Sequence, residues 1–203
     1  MIKWLTYRLP IIALALGCNG DDLDSDAEAR LAYLGFDSAV DLSLELGFDG
    51  FNAASSANIA TQTGDGTESG TMSIDGQVDQ GASSNKGMRL EVLLVDYRDG
   101  AVDDTATEDV EEYSVTYDTN DGDPLLLDLS LRDIPTGTFT GTLAGSAVLS
   151  GDLEAEATFN LTLSGGLVED PEVSGGVARA PGTLTISGTV TSSDGTFEVD
   201  VAR

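Results

Sequence analysis

"TFTGTLAGSAVLSGDLEAEATFNLTL", residues 138–163, alternates inward and outward residue types for almost its whole length. Phe139, Leu143, Ala147 and Leu149 fall on one parity. Leu153, Ala155, Ala157, Phe159, Leu161 and Leu163 repeat the pattern after a break at Ser150-Gly151. A period of two puts successive side chains on opposite faces of a strand, so this stretch predicts two paired strands. Ser150-Gly151 suits a two-residue hairpin between them.

The same period recurs on both sides of this hairpin. "VDLSLELGF" (40–48), "GTMSIDGQV" (70–78), "EYSVTY" (112–117), "LLLDLSL" (125–131), "TLTISGTV" (183–190) and "TFEVDV" (196–201) all alternate. "MRLEVLLVDY" (88–97) is more continuously apolar and predicts a central strand. "TNDG" (119–122) is expected to turn the 112–117 strand back into the 125–131 strand, and "SSDG" (192–195) to join the last two. No helical stretch long enough for a parallel crossover follows residue 36. The expectation is an all-β fold: an antiparallel meander of about ten strands, forming a closed or partly open barrel or a sandwich. "SDAEARLAYLG" (25–35) predicts one short helix over 26–34. Ser25 and Glu28 set up a capping box, and Gly35 stands at C′. The segments 70–78 and 182–190 share G-T-[ML]-[ST]-I-x-G-x-V. That is either a duplicated unit or the ordinary vocabulary of such strands.

Composition narrows function by exclusion. Nine basic residues stand against 36 acidic ones, for a net charge of −27, and there is no histidine. Such a chain repels phosphate backbones and anionic headgroups, so nucleic acid is not an expected partner. The acidity reads as solubility in salty water, with cation binding as the sharper alternative. Without histidine, Ser-His-Asp and Cys-His nucleophilic chemistry and histidine metal sites are out of reach. Glu154 and Glu156 share a strand face, where solvated charges explain them better than a carboxylate pair. The chain is therefore expected not to be an enzyme.

The N-terminus speaks to location. Lys3 and Arg8 precede the apolar run Leu9–Leu16, which is far too short to span a bilayer and suits a cleaved export signal. It ends at "ALGC": Ala15, Leu16, Gly17 and Cys18, the only cysteine. This stretch resembles the signal of bacterial lipoproteins, although the leucine usual three places before the cysteine is Ala15 here, flanked by Leu14 and Leu16. The resemblance implies a diacylglycerol on the Cys18 thiol and cleavage before it. Asn19, in place of a retaining Asp, implies the outer membrane. A lone thiol in an oxidising compartment is a hazard that acylation removes, and several acyl chains anchor stably. The expected organisation is a signal peptide at 1–17, a lipidated tether at 18–25 and a single β domain at 26–203.

Three readings of function follow. The first is a lipid-anchored cell-envelope β protein with a non-catalytic binding or structural role. Its membrane contact is the N-terminal lipid, and a protein partner or ligand is not specified. An integral outer-membrane barrel is disfavoured, since the strands lack flanking aromatic girdles. The second is a carrier of an apolar small molecule inside a barrel. Its motive is the small residues on the inward parity: Gly76, Gly141, Gly145, Ala147, Ala155, Ala157 and Gly188. The plainer account is that these let the sheet coil or a helix approach. The third is a calcium-dependent adhesive module using "DTNDGD" (118–123), with Asp118, Asn120, Asp121 and Asp123 as ligands. Its spacing departs by one residue from the usual calcium loop, and a hairpin turn explains it more simply. Otherwise no cofactor is implied. Threonines at 138, 140 and 142, and at 183, 185 and 189, share faces. They resemble ice-binding arrays, but threonine is also an ordinary solvent-side strand residue.

Overall fold

The computed structural model describes residues 23, 26–103, 112–120 and 122–202. One helix, α1 (Asp26–Ala53), precedes eleven strands: β1 (Asn58–Asp65), β2 (Ser69–Val78), β3 (Lys86–Arg98), β4 (Ala101–Asp103), β5 (Glu112–Asp118), β6 (Leu125–Arg132), β7 (Thr138–Gly151), β8 (Ala155–Glu169), β9 (Val177–Arg179), β10 (Thr185–Thr191) and β11 (Thr196–Ala202). Every ladder is antiparallel. The fold is all-β with one N-terminal helix, as the alternation predicts.

The strands fall into eight lanes. β5 and β6 both lie between β3 and β7 and run in the same direction. Lys86–Val92 pair with Leu131–Leu125, and further along β3 Tyr97 pairs with Tyr117. β6 thus continues the lane of β5 in the same direction, and the hairpin expected at 119–122 is not formed. The cause is local bonding. Leu94 N–H donates to Thr119 Oγ1 (3.0 Å), Thr119 N–H returns a bond to Leu94 O (3.1 Å), and Asp96 N–H donates to Asp118 Oδ2 (3.1 Å). These contacts keep the chain on β3 through the break. β3 with β4, and β9 with β10, share lanes in the same way. The apparent ring β3–β5–β7–β6 is the outline of the break between β5 and β6 and not a barrel closure. The order is a strict up-and-down meander with β1 and β11 at its two edges, and no ladder joins them among the described residues.

The segment 40–48, expected to be a strand, is helical, and the helix expected over 26–34 continues to Ala53. At 3.6 residues per turn, Val40, Leu44 and Phe48 lie on one side of α1 and Leu42 and Leu46 on another. A helix enclosed on nearly all sides needs both sides apolar, and that produces a false period of two. A third side carries small residues. A Cβ on Gly47 would stand 2.8 Å from Leu90 Cδ1, and one on Gly50 would stand 2.7 Å from Ile59 Cδ1. Each helical glycine costs about 1 kcal/mol of propensity, offset here by close sheet contact. Among the described residues of the helix interior, only Ser38, Glu45 and Asp49 are exposed. With the half-buried Asp41 they form a narrow polar stripe.

The sheet curls around α1, which touches both edge strands. Phe36 stacks on Phe159 with ring centroids 4.5 Å apart, and Phe48 meets Phe139 edge-on at 6.2 Å. Tyr117 Oη donates to Ala32 O at 2.6 Å, tying wall to helix. The hairpin between β7 and β8 is longer than expected. Leu149–Ala155 is its last pair, because β7 continues to Gly151 to pair with Val115 of β5. The turn at 192–195 closes as expected, on Thr191–Thr196.

Candidate functional site

Among the described residues, a depression lies where the sheet fails to cover α1. It is a groove of ≈ 460 Å³ lined by Asp41, Glu45, Phe48 and Asp49 of α1, Asp170, Pro171 and Glu172 of the following turn, and Val177–Arg179 of β9. Five carboxylates face one guanidinium. Arg179 Nη2 pairs with Asp41 Oδ1 at 3.0 Å. Burial pushes the Asp49 carboxyl above its ordinary range, and the charges of Asp170 and Glu172 push it further the same way.

Asn52 builds the far wall. Its Nδ2 donates to Asp170 Oδ2 (3.1 Å) and Val177 O (3.0 Å), and its Oδ1 accepts from Val177 N–H (2.8 Å). One side-chain amide thus satisfies both outward backbone groups of Val177, as a neighbouring strand would. Asp170 Oδ1 also accepts from Glu172 N–H, shaping the turn. The groove favours positive charge at its mouth, and no serine, threonine, cysteine or lysine is among its lining residues. Among the described residues, no three metal-ligating side chains are grouped to hold an ion.

Two of the expected calcium ligands make bonds within the chain. Asp118 Oδ2 is occupied by the Asp96 N–H, and Asn120 O accepts from Asp123 N–H in a tight turn. Asp121 lies outside the described residues, as does Cys18. The seven small residues are spread along β2, β7, β8 and β10. Each faces a larger or matching neighbour: Gly141 pairs with Leu163, Gly145 with Phe159, Ala147 with Ala157 and Ala155 with Leu149. Gly76 pairs with Leu90, and Gly188 with Leu161 and Val199. Gly76 (φ 135°) and Gly188 (φ 155°), the shared glycines of the repeated motif, hold a backbone conformation that L side chains rarely adopt. Their built Cβ atoms would strike the Arg89 and Asn160 carbonyls across the ladder. This is the coiling role of strand glycine.

The outer faces of β7, β8 and β10 carry hydroxyls in register: Thr140, Ser164 and Thr185 in one row, Thr142, Thr162 and Ser187 in the next. The sheet curls around α1, so this face is convex. Thr183 stands apart from the array, bonding Ala180 O and Gly166 N–H in the β9–β10 break.

Sequence reasoning misses the groove. Alternation puts Asp41 and Glu45 on the polar face of a strand, and it assigns nothing to Asn52, Asp170, Glu172 and Arg179. The available signal was Asp41, Glu45 and Asp49 at intervals of four, the spacing of one helix face. Comparison with known protein families, curated proteins and solved structures finds no match to this chain.

Proposed function

We propose that the protein is a lipid-anchored β module of the bacterial cell envelope, held at the outer membrane through Cys18, that acts by binding or by structure and not by catalysis. The observation that weighs against a carrier is the packing of aromatic rings between α1 and the sheet. Phe36, Phe48, Phe139 and Phe159 occupy the space between α1 and the wall, and all four are buried. A molecule carried inside would have to displace them from a packed core. The surfaces left for recognition are the outer face and the α1–β9 groove. The export pattern of residues 3–18 carries the anchor.

Intact-mass analysis of protein from its host tests the anchor. The expected result is a chain beginning at Cys18 with acyl mass on it, and an unmodified thiol refutes the reading. Solvent extraction and apolar-dye uptake test the interior. Any bound apolar molecule recovered at one per chain overturns the packed-core role in favour of a carrier.

A further inference from the structure

We propose that the anchored domain stands end-on to the membrane, with one identifiable rim facing the headgroups. This rests on the lipid anchor at Cys18 proposed above. The chain enters the fold sooner than the tether expected at 18–25 allows. Leu23 is fully buried, and its carbonyl accepts the Ser192 hydroxyl in the β10–β11 turn. Only residues 19–22 separate the proposed anchor from Leu23. Five Cα–Cα steps, fully extended, reach about 17 Å.

Among the described residues, the connections between lanes lie at one of two ends. α1 starts at the end that carries the turns after β1 (66–68), β7 (152–154) and β10 (192–195). The opposite end carries the α1 C-terminus and the connections 79–85, 133–137 and 170–176. α1 has 28 residues, so the two ends are about 42 Å apart. A 17 Å leash cannot let a body of that length turn over. The rim of 66–68, 152–154 and 192–195 is held to the bilayer, and the α1–β9 groove is carried to the far end.

Charge sets how that rim meets the membrane. Among the described residues it bears Glu68, Asp99, Asp152, Glu154 and Asp194 against Arg98, which is itself paired to Glu68 at 2.9 Å. The rim is repelled by anionic headgroups within a screening length of about 10 Å. The leash forbids inversion, and lying flat would bring further carboxylates to an anionic surface, so repulsion there favours the upright posture.

Neutron reflectometry of the anchored protein tests this, after detergent extraction from host membranes and reconstitution in a supported bilayer of phosphatidylcholine with phosphatidylglycerol. An upright domain gives a protein layer of about 40 Å. A flat one gives about 30 Å, the width of a helix between two sheet walls with their side chains. Inserting fifteen Gly/Ser residues between positions 22 and 23 should blur the outer boundary by about 20 Å. A thin layer from the native chain overturns the orientation, as does a profile unchanged by the insertion. Intact mass of the same sample separates the two failures. A chain without lipid refutes the anchor, whereas a lipidated chain in a thin layer refutes only the posture.

Discussion

Gly35 and Tyr117 offer a test of the helix-in-sheet arrangement whose sign can be read. A Cβ on Gly35 would collide with the Tyr117 hydroxyl, while the next ring atoms would stand at 3.4 and 3.5 Å, ordinary contact distances. Gly35→Ala alone should gain about 1 kcal/mol from helix propensity. Against that stand about 1–3 kcal/mol of overpacking and about 1 kcal/mol for the displaced hydrogen bond to Ala32 O. The net expectation is a loss of about 1–3 kcal/mol. In a Tyr117→Phe background the colliding atom is gone, and the same substitution should stabilise by up to about 1 kcal/mol. Urea unfolding of the four variants by far-UV circular dichroism gives the cycle, provided the denaturant slope stays constant. If Gly35→Ala shifts stability equally in both backgrounds, to within about 0.5 kcal/mol, the two side chains do not meet and the packing argument is wrong.

Other outcomes follow from the same packing and electrostatics. Phe36→Ala should destabilise by about 3–5 kcal/mol in the same assay, since a fully buried stacked ring is lost; a loss under about 1 kcal/mol would place Phe36 outside the core. Asp49 titrates above its ordinary value in the folded chain, so its ionisation opposes folding. Asp49→Asn should stabilise at pH 7, and that advantage should shrink as the pH falls through the carboxylate range, read from denaturation midpoints at each pH. Burial raises the Tyr97 and Tyr117 phenols, with Asp99 adding to both. The stability they contribute is complete below about pH 10 and lost above it, so alkaline unfolding should begin there and move upward in Tyr117→Phe. Asn52→Ala should strip amide exchange protection from 177–179 and leave the β7–β8 ladder protected; uniform loss across the sheet would mean that β9 is not a separately held strap.

The alternating strands were legible in the chain because each has one buried and one wet face, and a two-residue period records only that. β7, β8, β10 and β11 follow from it, and so does their antiparallel order, since no crossover helix is available. The same rule failed at 40–48. There, Val40, Leu42, Leu44, Leu46 and Phe48 alternate because walls lie on two sides of α1. Periodicity reports how many faces are buried and not what buries them.

The groove was hidden for a related reason. Asn52, Asp170 and Arg179 are far apart along the chain, and nothing in their local sequence says that β9 will lie against the exposed stripe of α1. In sequence, residues 119–124 read equally well as a hairpin or as a break within one lane, since Asn, Asp and Gly suit both. The bonds from Leu94 and Asp96 to Thr119 and Asp118 select the continued lane. Side-chain types thus establish that this chain is an acidic, antiparallel β protein. The enclosed helix, the filled interior and the two unlike rims arise only when distant segments meet, because each is a contact between surfaces that local sequence cannot pair.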